Sequence, residues 1–208
     1  MKVLKRKTLD ELKAIMPVLS ETEQAMYNGG TFYFDLSGNE LGKVGTGNDL
    51  KFIAQSDFNY YRDNNIEGAG DSFSALSKAA QTTFVINHSS FESGQIAISN
   101  NSDRDLAAEV LEGGVKIYKD DSVWNNYYDA LSTLEHEWYH FDNGHHHTTG
   151  IEHVQQEIET YIAQINSAGF ANTSYEYKKR VAENMYYLYA ENGANVPLDN
   201  LYRLVGIL

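Results

Sequence analysis

Apolar residues recur along this chain in two rhythms. Between positions 31 and 119 they come as short runs of β-branched and aromatic residues closed off by turn formers: "TFYF", "LKFIAQ", "TTFVINHSS", "GQIAIS" and "GVKIYK". Each run predicts a short strand. Ser37-Gly38-Asn39 follows the first run and predicts the turn of a β-hairpin. Residues 62–72 are polar and Gly-rich and predict a loop, and 74–81 predict a short helix. His88 falls at the end of a predicted strand, where a single histidine reads as structural or solvent-facing. From position 121 the rhythm changes to steps of three and four. Tyr127, Leu131, Leu134, Trp138 and Phe141 form one stripe of a helix over 121–141. Ile151, Val154, Ile158, Tyr161, Ile162 and Ile165 form the stripe of a second. A third helix is capped near Ser174, carries Val181, Met185 and Leu188, and stops at Gly193. "LDNLYRLVGIL" predicts a short terminal helix. The expected fold is α+β: a small mixed sheet, then a helix that carries the chemistry, then two or three packed helices.

The first thirty residues have a different pattern. They start basic (Lys2, Lys5, Arg6, Lys7) and then turn amphipathic, with Leu9, Leu12, Ile15, Met16 and Leu19 on one helical face. Thr8 with Glu11, and Ser20 with Glu23, have capping-box spacing. Pro17 breaks or kinks the helix, and Gly29-Gly30 closes the segment. Asp10, Glu11 and Lys13 interrupt the apolar stretch that a general secretory signal requires. The chain therefore divides into 1–30, a hairpin-bearing segment 31–70, and a main domain 71–208.

Charge and composition narrow the function. The formal net charge is −13, and the first thirty residues hold five Lys/Arg against four Asp/Glu, so the acidity belongs to the main body. Nucleic acid is not an expected partner, since binding it calls for a basic face. There is no cysteine, which removes disulfides, thiolate metal sites and thiol nucleophiles. No apolar run approaches the roughly 20 residues needed to span a bilayer.

The chemistry gathers in "LEHEWYHFDNGHHHTTGIEH", which holds six of the seven histidines. His136 and His140 stand four apart on a helix, so their rings stack one turn above the other on a face that also carries Asp129 and Thr133. Two imidazoles in that arrangement grip a tetrahedral zinc from one side, at about 2.0–2.1 Å. Glu137 then sits beside the metal rather than on it, where a carboxylate can take a proton from an activated water. A catalytic zinc requires a third protein ligand. His146 lies six residues after His140. On the following helix Glu152, Glu157 and Glu159 are available; Glu157 flanks the apolar face beside Tyr161, Glu159 lies on the opposite flank and farther out, and Glu152 is more exposed. A carboxylate at the edge of the buried face is best placed to reach a cleft between helices, so Glu157 is the expected ligand, with Glu159 and His146 as rivals. His145 and His147 complete a histidine triplet on a polar turn, which reads as a solvated loop or a substrate-side group. His153 falls on the polar side of its helix.

These residues carry three resemblances. His136-Glu137-x-x-His140 resembles the zinc motif of zincin metallopeptidases. Glu157 through Tyr161 resembles the ligand segment of the gluzincin branch, with Tyr161 in place of the usual aspartate, whereas Glu159 sits at a separation from His140 that some gluzincins use. His146 has the ligand spacing of metzincins, but Asn143 stands where that branch has glycine, and Met185 falls in a predicted helix rather than a tight turn. Leu19-Ser20, Glu23 and Gly29-Gly30 resemble the double-glycine leaders of bacteriocin-type precursors. That resemblance implies cleavage after Gly30 by a peptidase-containing exporter and secretion of the remainder; without it the chain would stay cytoplasmic. Phe34-Asp35 and Gly38-Asn39 weakly resemble the tyrosine-aspartate repeats of bacterial surface toxins.

Together they imply a zincin-like, zinc-dependent peptidase, an exported bacterial protein of effector or toxin type. His136, His140 and Glu157 would hold the metal, Glu137 would be the general base, and a peptide or protein would be the substrate. An oxyanion donor would come from the tyrosines at 186, 187 and 189 or from the triplet, although amphipathic packing is the plainer reading of the tyrosines. The alternative is a secreted binding or signalling module whose metal site is structural or inactive.

Overall fold

The computed structural model describes residues 30–100, 106–145 and 149–208. The leader-like segment therefore lies outside the described residues, apart from Gly30. The fold is α+β, with six α-helices and two three-stranded sheets among the described residues. None of these helices is long and apolar enough to cross a membrane.

The first sheet holds β1 (Thr31–Phe34), β2 (Glu40–Val44) and β3 (Leu50–Phe52) in the order β2-β1-β3. β1 and β2 form the expected hairpin, and β3 joins β1 in parallel. The turn is held by Asp35, whose Oδ1 accepts from the backbone N–H of Ser37 at 2.8 Å and of Asn39 at 2.9 Å. Gly38 in that turn has φ +88°, and a Cβ there would lie 2.6 Å from the Ala80 carbonyl oxygen. Only glycine lets the turn sit on the neighbouring helix. All four β1 residues are buried, because both faces of the strand are covered. Phe32 and Phe34 enter the main core, while Tyr33 packs with Val44, Ile53 and Phe58 in a smaller one. Phe58 belongs to α1 (Gln55–Asp63), a polar helix with a single buried side chain that the hydrophobic pattern does not announce.

The run "TTFVINHSS" is not a strand. It forms most of α2 (Lys78–Asn87), and His88 caps the helix C-terminus instead of ending a strand. The helix begins later than the predicted 74–81, after a single 3-10 turn at Phe73–Ala75. Ser77 supplies the N-cap by accepting from Ala80 N–H. Ala80, Gln81, Phe84 and Val85 are the buried set, a helical spacing. Phe84 packs among Phe34, Phe52 and Phe73, with ring centroids 5.1, 5.8 and 5.6 Å away. That tertiary burial overrides the strand preference of Thr82, Thr83, Val85 and Ile86. The His88 ring stacks on Phe84 at 4.4 Å, its Nδ1 bonds the Phe84 carbonyl, and burial lowers its pKa.

The second sheet has the order β4-β6-β5, with β4 (Ile96–Ser99) parallel and β5 (Ala108–Leu111) antiparallel to β6 (Gly114–Tyr118). The single sheet expected is thus two, each mixed. β5 is an edge strand and lies against α3 (Tyr127–Asp142), the helix bearing His136 and His140. The expected helix over 121–141 splits in two. Asp121 caps a 3-10 turn at Ser122–Asn125, and Asn126 then caps α3 by accepting from Tyr128 and Asp129 N–H at 3.0 and 3.2 Å. α4 (Gly150–Ile165), α5 (Tyr175–Glu191) and α6 (Leu198–Leu204) follow and pack in succession. Asp129 ties α5 to α3: its carboxylate accepts from Ser174 N–H at 2.7 Å and Ser174 Oγ–H at 2.6 Å. Ser174 is in turn the N-cap of α5. Phe32, Phe34, Leu50 and Phe52 share one core cluster with Phe84, Trp124, Leu134, Val181 and Met185.

Candidate metal centre

α3 runs through the middle of the molecule and is buried on more than one side. Leu134 is fully buried on the core side, while Thr133, His136, Glu137 and His140 are buried beneath β5, α4 and α5. They line a cleft of about 580 Å³. Its walls are β5 from Ala108 to Val110, the Glu157 side of α4, and α5 from Tyr177 to Leu188.

His136, His140 and Glu157 meet at the floor of the cleft. The two Nε2 atoms are 3.2 Å apart, Glu157 Oε1 lies 3.2 Å from His140 Nε2, and Glu157 Oε2 lies 3.6 Å from His136 Nε2. Ligands bonded at about 2.0–2.1 Å to a tetrahedral ion stand roughly 3.3–3.4 Å apart. The observed separations bracket that edge length.

The hydrogen bonds around the rings decide which nitrogens face inward. Gln164 Nε2 lies 2.9 Å from the Ser132 carbonyl oxygen, which can only accept, so the amide nitrogen of Gln164 is fixed there. Gln164 Oε1 then faces His136 Nδ1 at 3.3 Å, and that ring nitrogen must carry the hydrogen. On the other ring, Thr160 Oγ1–H donates to the Gln156 carbonyl at 2.8 Å, leaving its oxygen to accept from His140 Nδ1 at 3.4 Å. Both rings therefore turn Nε2 toward each other and toward the Glu157 carboxylate. Two imidazole nitrogens and a carboxylate brought this close together could hold a metal ion.

Burial works to raise the Glu157 carboxyl, but hydrogen bonds and charge from His136 and His140 outweigh it and hold the group well below the usual carboxylate range. Glu137 behaves in the opposite way. Burial pushes it up to about 8, against the opposing pull of His140 and a hydrogen bond from Val110 N–H on β5. The two neighbouring carboxyls are thus driven in opposite directions.

The other sequence candidates fall outside this cluster. Glu152 and Glu159 are exposed on α4. His146 and His147 lie outside the described residues. His145 lines the cleft with its ring 5.7 Å from that of His140, and its Nδ1 is buried with no partner among the described residues. His153 is exposed and borders the cleft. Tyr186 and Tyr187 are exposed, at 39% and 65%, and Tyr189 packs against the core. The tyrosine beside the two histidines is Tyr161, whose ring centroid is 4.6 Å from that of His136. Its hydroxyl accepts from Asn184 Nδ2 at 2.9 Å, and burial, reinforced by Glu157, raises its pKa.

Thr160 and Gln164 take the outer positions that the resemblance would give to an aspartate at 161. Their signal is in the sequence: relative to Glu157 they stand three and seven residues on, along one helical face. Gln164 also donates to Ser132 Oγ at 3.0 Å and to the Tyr177 hydroxyl at 2.8 Å, so one side chain ties α3, α4 and α5 together. Gln164→Leu is expected to weaken zinc binding about 10–100-fold, read by competition with a chromogenic chelator. Unchanged affinity would show that the amide does not orient His136.

Comparison with protein-family models, with curated proteins and with solved structures returned no match.

Proposed function

We propose that the chain is a zinc-dependent peptidase of zincin type. The observation that carries the proposal is the convergence of two imidazole nitrogens and the Glu157 carboxylate at tetrahedral spacing, with Glu137 buried alongside. His136, His140 and Glu157 would hold zinc; all-nitrogen-and-oxygen donors suit that ion, and three protein ligands leave a position open. Zinc there supplies a Lewis acid that acidifies water and polarises a carbonyl.

The chain's own residues account for the remaining steps. Glu137 accepts the proton of the attacking water as its oxygen bonds the scissile carbon, then delivers that proton to the amine nitrogen as the C–N bond breaks. Tyr161 keeps its proton far above neutral pH and stands beside His136, where it donates to the developing oxyanion. The outer edge of β5, which pairs with no further strand among the described residues, borders the cleft and could offer backbone groups other than Val110 N–H to an extended polypeptide. Export in the manner of a bacterial effector, with a peptidase-containing exporter as processing partner, rests on Leu19-Ser20, Glu23 and Gly29-Gly30 alone.

Metal analysis of the purified chain tests the reading. About one zinc per chain is expected, with cleavage of a mixed peptide pool abolished by chelation and restored by zinc. A folded chain that binds no added zinc would overturn it. Tightly bound zinc without chelator-sensitive cleavage would favour a binding or signalling module.

A further inference from the structure

Among the described residues that line the cleft, Arg180 is the one Arg or Lys, in a chain of net charge −13. It is held at one end only. Its Nη1 lies 3.3 Å from both Asp121 carboxylate oxygens, and the guanidinium carbon sits over the Tyr177 ring at 5.4 Å. Tyr177 is itself fixed by hydrogen bonds to Gln164 and Thr133. Nε and Nη2 bond nothing among the described residues, and the side chain is 36% exposed. The fork is thus anchored through one nitrogen and by stacking, and its remaining N–H groups are presented on the α5 wall of the cleft. A planar fork of this kind pairs with a carboxylate through parallel hydrogen bonds. Thr133, which bonds Tyr177, lies one helical turn before Glu137, and Arg180, Thr133 and Glu137 line the same cleft.

We propose that Arg180 is the specificity-determining residue of the cleft and receives a carboxylate of the substrate. The assignment rests on the peptidase reading for its biological sense, but the receptor is defined by Arg180, Asp121 and Tyr177. The preferred polypeptides then carry Asp, Glu or a free C-terminus at a fixed distance from the bond that is cut.

The test uses the zinc-loaded full chain and a series of ω-carboxyalkyl hydroxamates with two to five methylenes, each beside its primary amide. The hydroxamate grips the metal while the far group samples the α5 wall. Calorimetry is expected to show one chain length at which the acid binds about tenfold tighter than the amide. Arg180→Gln should erase that preference, the acid losing more affinity than the amide. Arg180→Lys keeps a cation for Asp121 and should retain part of the preference, which separates recognition from a folding defect; thermal melting of each variant checks the fold. No acid preference at any length, a preference that survives Arg180→Gln, or failure of all hydroxamates to bind would overturn the proposal. A parallel cleavage profile on peptide pools with free and amidated C-termini separates the two carboxylate sources: enrichment of Asp or Glu in both pools marks a side chain, and cleavage confined to the free pool marks the chain end. Acid preference without any Glu137-dependent cleavage would retain the receptor and remove the peptidase reading.

Discussion

Replacing Glu137 by Gln is expected to lower peptide hydrolysis by about three orders of magnitude while zinc content stays at the wild-type level. The substitution nearly preserves shape. Glu137 is buried, at 8% exposure, and a glutamine oxygen can still accept from Val110 N–H. What disappears is the capacity to take and return a proton. A second measurement follows from the same side chain. Burial raises its carboxyl from 4.5 to about 8 in the folded chain. The folded state therefore holds a proton that the unfolded state has released across that interval, and stability must fall as pH rises from about 4.5 to about 8. The glutamine variant lacks this slope. Urea unfolding of both metal-free proteins across that range should show the variant gaining relative to wild type toward the upper end. Equal cleavage by the variant would remove Glu137 from the chemistry, and parallel pH curves would remove the buried ionisable carboxyl.

Glu157→Ala should cost far more metal affinity than the roughly 10–100-fold associated with an outer partner. It takes away one of the three converging groups, the carboxylate, and leaves two imidazole nitrogens 3.2 Å apart as the remaining donors of the set. Glu159→Ala and Glu152→Ala remove exposed carboxylates on the same helix and should leave zinc stoichiometry at about one. His146→Ala belongs in the same experiment, because only its spacing recommends it. Full zinc retention in Glu157→Ala together with loss in His146→Ala would transfer the third position to the triplet.

The parts of the site that were legible in the sequence are local ones. His136, Glu137 and His140 lie within a single turn and a half of α3, and their relative placement follows from helix periodicity alone. Glu157 was legible to a lesser degree. Its place at the edge of an apolar stripe set it apart from Glu152 and Glu159, but stripe geometry does not say which neighbour the edge faces. Arg180 gave no sign of its place, since nothing near it in the chain marks a cleft. Local composition misled at 82–90, where β-branched residues predicted a strand and the helix instead continues to Asn87. The helix forms because Ser77 caps it and because Phe84 fills a nest of Phe34, Phe52 and Phe73 drawn from three other parts of the chain.

By itself, then, the sequence determined the α+β class, the helix that carries the histidines, and the Glu137 position between them, because each depends on interactions a few residues long. The tertiary structure decided the rest. The crossing of α4 over α3 brings Glu157 to the histidines and sets Gln164 and Thr160 behind their rings, which settles which nitrogens face the cleft. The anchoring of α5 through Asp129 and Ser174 carries Tyr177 and Arg180 to the opposite wall. Contacts of this kind join residues 17 to 59 positions apart, and their energies come from burial and hydrogen bonding that no local pattern encodes.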